Sequence, residues 1–196
     1  MSSHSAAVIL AAGASERFGS VKQLAELDGR PMLQHVIDAV VAVRELDPVV
    51  LVLGAHQEEI HAAIDTRRAV VALCLGWEEG LAASLRAGVA AVAERDPDVA
   101  RVVVVLGDTP RLETAVIEDV LAASVAAPPA VPVRATYDGR PGHPVVIPRH
   151  LLHAVEELTG DEGARELLAG GPMLLVAAGG PGGMDVDTPE NLETLR

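Results

Sequence analysis

The sequence predicts an α/β fold: a mostly parallel sheet with helices on both faces and a small hairpin excursion late in the chain. Three observations predict it. Short runs that are apolar throughout recur at residues 6–11, 49–53, 69–75 and 102–106, and strands without polar alternation are covered on both faces. Segments with apolar residues one helical turn apart separate these runs, giving the βαβ alternation of a parallel sheet. The runs also lead into Gly13, Gly54, Gly76 and Gly107, so each leaves the sheet at the carboxyl end of its strand, where such sheets bind ligands.

In chain order, Val8, Ile9 and Leu10 mark the first buried strand. Residues 13–29 are small or polar and read as one long loop. Pro31, whose fixed φ suits a first helical turn, opens a helix with Met32, Leu33, Val36, Ile37 and Val40 on one face. The strand at 49–53 leads to a helix over 58–64, and the strand at 69–75 to a helix over 80–93 carrying Leu81, Leu85, Val89 and Val92. The strand at 102–106 leads to a helix over 114–124. Pro128, Pro129 and Pro132 then break the pattern. Residues 131–137, the turn signal Asp138-Gly139 and residues 144–147 read as a hairpin that caps the sheet. Helices at 151–158 and 163–168, a strand at 173–176, a glycine-rich loop at 179–183 and a helix from Pro189 follow. With no internal repeat, residues 1–196 read as one domain.

The 196 residues are 49% hydrophobic and 22% charged, enough apolar content to bury a core. Twenty-eight acidic against fifteen basic residues give a net charge of -13, the wrong sign for a nucleic-acid binder. An anionic ligand must then be met by a local cationic site. No apolar run approaches the roughly 20 residues of a membrane span, and residues 1–5 lack a signal-sequence pattern. With Cys74 as its single cysteine the chain has no internal disulfide framework. The expectation is a cytoplasmic protein that binds neither nucleic acid nor membrane. Cys74 reads as an inert core thiol, and His150 and His153 lack the further ligands of a zinc site.

Of the basic residues only Lys22 is a lysine, and it closes the loop Leu10-Ala11-Ala12-Gly13-Ala14-Ser15-Glu16-Arg17-Phe18-Gly19-Ser20-Val21-Lys22. A dinucleotide fingerprint needs glycine where Ser15 stands, and a Walker A loop needs lysine directly after its second glycine. Neither fits. The loop nevertheless has what a triphosphate requires: small residues that let backbone N–H groups approach phosphate oxygens, with Arg17 and Lys22 for charge.

Leu10-Ala11-Ala12-Gly13, Arg17, Gly19, Lys22 and Gly29-Arg30-Pro31 resemble the signature of nucleotidyltransferases of the molybdopterin and sugar-nucleotide type. The likeness continues through Gly76-Trp77-Glu78-Glu79-Gly80-Leu81-Ala82-Ala83-Ser84-Leu85-Arg86-Ala87-Gly88, Gly107-Asp108-Thr109-Pro110, Gly142-His143-Pro144, Gly160-Asp161-Glu162-Gly163-Ala164-Arg165 and Asp185-Val186-Asp187-Thr188-Pro189-Glu190. In this order they resemble the molybdenum cofactor cytidylyltransferase subgroup of the MobA-like family, with a Rossmann-like nucleotidyltransferase sheet. The resemblance implies transfer of a nucleoside monophosphate from an NTP to the phosphate of molybdenum-bound molybdopterin, with release of pyrophosphate and a need for Mg²⁺. It also implies transient contact with a molybdenum hydroxylase that receives the product. Leu-Ala-Ala-Gly, in place of Leu-Ala-Gly-Gly, is similar to cytidine and uridine transferases and favours CTP, the Ala12 methyl narrowing the base pocket.

On this resemblance Lys22, Arg17 and Asp108 are the candidate catalytic residues. Leu10, Ala11, Ala12, Gly13, Arg17, Lys22, Gly54, Gly80 and Ser84 are the candidate nucleotide contacts. Asp108 at a strand end, with Asp185 or Asp187, is the candidate Mg²⁺ site, since Mg²⁺ binds through one or two carboxylates plus phosphate oxygens. Asp187 could instead cap the helix at Thr188. Gly142 and His143 are candidates for an acceptor-side wall. Val21, Ala82, Ala83 and Thr109 depart from residues common in the family, which leaves the acceptor open. Similar chains act as reductases of nicotine blue, so an NAD(P)H-dependent oxidoreductase is the first alternative. A non-catalytic nucleotide-binding cofactor-insertion factor is the second.

Overall fold

The computed structural model describes residues 4–169 and 171–196, the side chain of Arg165 excepted; residues 1–3 of the segment read for a signal sequence lie outside them. β1 (Ser5–Ala11) is buried along its whole length. Two 3-10 turns, Glu16–Phe18 and Lys22–Leu24, then β2 (Glu26–Leu27) and β3 (Arg30–Pro31), occupy the stretch expected to be open loop. The β2–β3 turn is Asp28-Gly29, at φ 50° and 76°, the double left-handed turn that Asp-Gly favours; that dipeptide is its sequence signal. α1 (Met32–Ala42), β4 (Leu46–Leu53), α2 (Gln57–Ala63), β5 (Val70–Leu73), a 3-10 turn at Trp77–Glu79, α3 (Leu81–Arg95), β6 (Arg101–Leu106) and α4 (Thr114–Ala126) follow the expected alternation. Then come β7 (Val133–Tyr137), β8 (Arg140–Pro148), α5 (Arg149–Leu152), α6 (Ala164–Leu167), β9 (Leu174–Ala178), a 3-10 turn at Gly180–Gly183 and α7 (Pro189–Glu193).

The main sheet has seven strands in the order β5-β4-β1-β6-β8-β7-β9. β1 pairs in parallel with β4 and β6, β4 with β5, and β7 with β9; β8 runs antiparallel to β6 and β7. The hairpin β7–β8 is therefore part of the sheet and does not cap it. Val145 and Ile147 pack into one core and Val146 into the other, so β8 is apolar on both faces and belongs in the sheet interior.

Each face of the sheet carries its own core. Leu33, Val36, Ile37 and Val40 of α1 pack with Ile117 and Val120 of α4 on one side; Ala82, Leu85 and Val92 of α3 pack with Val155 and Leu158 on the other. Gly88 lets α3 lie close on the sheet, since a Cβ there would meet Val8 Cγ1 at 2.4 Å. A third cluster, Leu27, Met32, Val186, Leu192 and Leu195, fastens the β2–β3 hairpin to the C-terminal helix. From β1 the chain builds outward through β4 and β5, then returns by α3 to place β6 on β1's other flank. That reversal opens a crevice beyond the carboxyl ends of β1 and β6, the place where open α/β sheets bind ligands.

Candidate active site

The crevice is a cleft of about 400 Å³. Leu10, Ala11, Ala12, Gly13, Arg17 and Lys22 line it from the first loop, Gly80 and Ser84 from the start of α3, and Asp108, Asp185 and Asp187 from the far side. The fold thus brings together most of the residues singled out in the sequence.

Gly107 carries Asp108 into this space at the end of β6. A Cβ on Gly107 would meet Ala11 Cβ at 2.8 Å and Leu10 O at 3.0 Å, so only glycine lets β6 turn this tightly beside β1. Val186 N donates to Asp108 O at 2.9 Å, laying residues 185–187 beside Asp108. The cap of α7 is Thr188, whose hydroxyl accepts from Asn191 N. Asp187 is thereby released from capping, and its carboxylate turns to the cleft.

The single lysine joins the acidic residues. Lys22 Nζ donates to Asp108 Oδ2 at 2.7 Å and to Asp187 Oδ1 at 3.2 Å, while Arg17 Nη1 lies 3.1 Å from Asp187 Oδ2. The Lys22 side chain is 14% exposed and that of Arg17 74%, so solvent screens the arginine pair far more than the lysine pair. Burial works against the ammonium of Lys22, but the charge and hydrogen bond of Asp108, then those of Asp187, outweigh it and hold its pKa above the usual lysine value. Asp108 Oδ1 is buried and has no hydrogen-bond partner among the described residues. Asp185 has its carboxyl pushed up to about 6, by desolvation first and then by the like charges of Asp108 and Asp187, with Lys22 opposing. Among the described residues no three His, Cys, Asp or Glu side chains form a ready-made metal cage.

Three sequence candidates lie elsewhere. Gly54 does not line this cleft; it borders a neighbouring hollow with Ala14, His56, Gln57 and Trp77. A Cβ on Gly54 would lie 2.7 Å from both Ala12 O and Trp77 Cβ, so its contribution is close packing behind the loop. Gly142 and His143, both partly exposed, sit on β8 and are not among the residues lining the cleft; Tyr137 packs on this stretch, its ring lying where a Gly142 Cβ would go and its hydroxyl donating to His143 O at 2.8 Å. Burial, reinforced by Arg134, pushes His143 down to about 4.

Gln23, Trp77, Leu81, Leu106, Gly107 and Asp161 also line the cleft. Of these Gln23 is the informative omission: it is 3% exposed and donates to the carbonyls of Ala11 and Gly13. A polar residue between Lys22 and Leu24 carries no local signal of burial.

Comparisons with known proteins bear on the family and the fold. Residues 7–176 match the family model described as the MobA-like NTP transferase domain. The nicotine blue oxidoreductase of Paenarthrobacter nicotinovorans is 30% identical over 200 residues, 96% of this chain and 94% of that protein. A probable molybdenum cofactor guanylyltransferase of Pyrococcus horikoshii is 33% identical over 106 residues, 54% of this chain and 49% of that protein. The bifunctional protein GlmU of Sinorhizobium medicae is 38% identical over 57% of this chain, which spans only 24% of that relative's length. Among solved structures, Rv0371c of Mycobacterium tuberculosis H37Rv superposes with a TM-score of 0.84 at 28% identity, covering 100% of this chain and 98% of that one. A complex of Rv0371c with manganese superposes with a TM-score of 0.76 at 27% identity, covering 98% of each chain.

Proposed function

The chain belongs to the MobA-like NTP transferase family, and from that premise we propose that it is a Mg²⁺-dependent nucleotidyltransferase. It moves CMP from CTP onto the phosphate of molybdenum-bound molybdopterin and releases pyrophosphate. The observation that carries this is the juxtaposition of a partly buried lysine with Asp108 and Asp187 at the mouth of a glycine-bearing loop. A phosphate acceptor is itself the nucleophile, so the protein needs no nucleophilic side chain; its task is placement and charge neutralisation.

The loop N–H groups, Lys22 and Arg17 hold the triphosphate, Lys22 exchanging its carboxylate partners for phosphate oxygens as the nucleotide enters. Oxygen of the acceptor phosphate forms a bond to the α-phosphorus, the bond from α-phosphorus to the bridging oxygen breaks, and pyrophosphate departs with that electron pair. Lys22 stabilises the charge that gathers on the transferring group and the leaving group. Carboxylate oxygens suit a hard cation, and the buried, unpartnered Oδ1 of Asp108 is a donor left over for one. Asp108, with Asp185 or Asp187, would hold Mg²⁺. When bound it would neutralise triphosphate charge that Lys22 and Arg17 leave uncompensated. The choice of CTP over GTP rests on the Leu-Ala-Ala-Gly pattern of residues 10–13.

The full-length likeness to nicotine blue oxidoreductase favours a second reading, an NAD(P)H-dependent reductase in which the acidic cluster holds no metal. A thermal-shift panel separates the two. Wild type and Lys22→Ala are tested with CTP, GTP, ATP, UTP and NADPH, with and without Mg²⁺. Stabilisation by a ligand at one hundred times its Kd is about 2.7 kcal/mol, a visible shift. A Mg²⁺-dependent CTP shift that is lost in Lys22→Ala is expected, followed by pyrophosphate release with the molybdopterin acceptor. A metal-independent shift with NADPH alone overturns the transferase in favour of the reductase.

A further inference from the structure

The first loop is braced from behind by a single side chain. Gln23 is 3% exposed, and both ends of its carboxamide are engaged. Nε2 donates to Ala11 O at 3.2 Å and to Gly13 O at 3.0 Å, and Oε1 accepts from Ser15 Oγ at 2.9 Å. The carbonyls of Leu10 and Ala12 accept from Gly107 N at 2.8 Å and Ala55 N at 3.0 Å. Successive carbonyls from Leu10 to Gly13 are thus all held by groups from other parts of the fold.

In a planar trans peptide the N–H points opposite to the C=O before it. Fixing the carbonyls of Ala12 and Gly13 therefore fixes the N–H groups of Gly13 and Ala14. Among the described residues these two N–H groups meet no acceptor, and Gly13 lines the cleft beside Lys22. Donors aimed and left unpaired in this way form a concavity for anionic oxygen. Without the Gln23 carboxamide, the carbonyls of Ala11 and Gly13 would lose their donors and the Ala11–Ala12 and Gly13–Ala14 peptide planes would be free to rotate, while Ala55 N would still hold the peptide that carries the Gly13 N–H.

We propose that Gln23 is a positioning residue for the polyphosphate of the bound nucleotide, acting through the loop peptides and not through contact of its own. The proposal rests on the nucleotide reading above. It makes a prediction that ordinary packing does not: loss of Gln23 weakens binding of the polyphosphate and spares binding of base and ribose.

Calorimetric titration of CTP and CMP, each with Mg²⁺, into wild type, Gln23→Met and Gln23→Leu tests it. Met keeps most of the volume without polar atoms; Leu, likewise uncharged, removes the same donors and carries the test if Gln23→Met does not fold. The expected result is a loss of about 10- to 100-fold in CTP affinity with CMP affinity unchanged, at a melting temperature that shows a folded protein. CTP and CMP weakening in parallel, or neither weakening, overturns the assignment. A wild type that binds CTP no tighter than CMP is a different failure: it removes the phosphate role of the loop, and Gln23's role with it.

Discussion

Replacing Lys22 by Met keeps most of the side-chain length and removes the only cation within 3.5 Å of both Asp108 and Asp187 among the described residues. Removing one partner of a fully buried ion pair costs about 3–5 kcal/mol, because the other charge is left uncompensated. Exposed pairs are worth about 0–1 kcal/mol. The side chains of Asp108 and Asp187 are 22% and 34% exposed, so water reaches them in part and the expected cost lies between, about 2 kcal/mol. For a chain of this length that lowers Tm by roughly 4–8 °C. Since the pKa of Lys22 lies above its ordinary value, the stabilisation is fully present at neutral pH and is lost only as pH rises through the lysine range. The vacated carboxylates should accept a divalent cation without competition from the ammonium. Mn²⁺ alone, without nucleotide, should therefore raise the Tm of Lys22→Met more than that of wild type, while transfer activity falls by about 10²- to 10³-fold. Thermal melts of both proteins across a Mn²⁺ series provide the assay. An unchanged Tm, or equal stabilisation of the two proteins by Mn²⁺, would refute the reasoning.

Two further outcomes are expected. His143 is held neutral, with its pKa pushed down to about 4 from 6.5. Between those values the unfolded chain binds more protons than the folded one, so stability rises with pH through this window and is lost as pH falls through it, by at most about 3 kcal/mol. Urea midpoints measured from pH 7 down to pH 4 should decline, and His143→Gln should flatten the decline. Gly88→Ala would gain about 1 kcal/mol of helix propensity but would set its Cβ 2.4 Å from Val8 Cγ1 and 3.0 Å from Val52 Cγ2. Overpacking of this kind costs about 1–3 kcal/mol. The clash wins because its partners belong to two central strands. Denaturant titration should show a net loss, and Val8→Ala in the same chain should recover part of it.

Much of the fold was legible in local pattern. Uninterrupted apolar runs such as Val102 to Val105 mark strands covered on both faces, and Pro31 with the spacing of Leu33, Val36, Ile37 and Val40 marks the start and face of α1. The hairpin at Asp138-Gly139 was equally legible, but not its place in the sheet. Whether β8 caps the sheet or joins it depends on which strand its edge meets, and β6 lies far away in sequence. Of the candidate site, Lys22 and Asp108 stood out as a solitary lysine and a carboxylate at a strand end. Gly142 and His143 carried a motif but do not line the cleft, and Tyr137 packs on them, a contact their spacing does not reveal.

The sequence by itself determined the strands of the main sheet, the longer helices and the chemical types gathered at strand ends, because these follow from periodicities of two to four residues and from the backbone preferences of Gly and Pro. Only the tertiary structure decided which groups meet: Lys22 reaches Asp108 across 86 residues and Asp187 across 165, and Gln23 is buried under the loop it braces. Those contacts depend on strand order and on the crossover that sets β6 beside β1. No local pattern encodes them, because the energy that selects the order is the burial of the two apolar faces of the whole sheet.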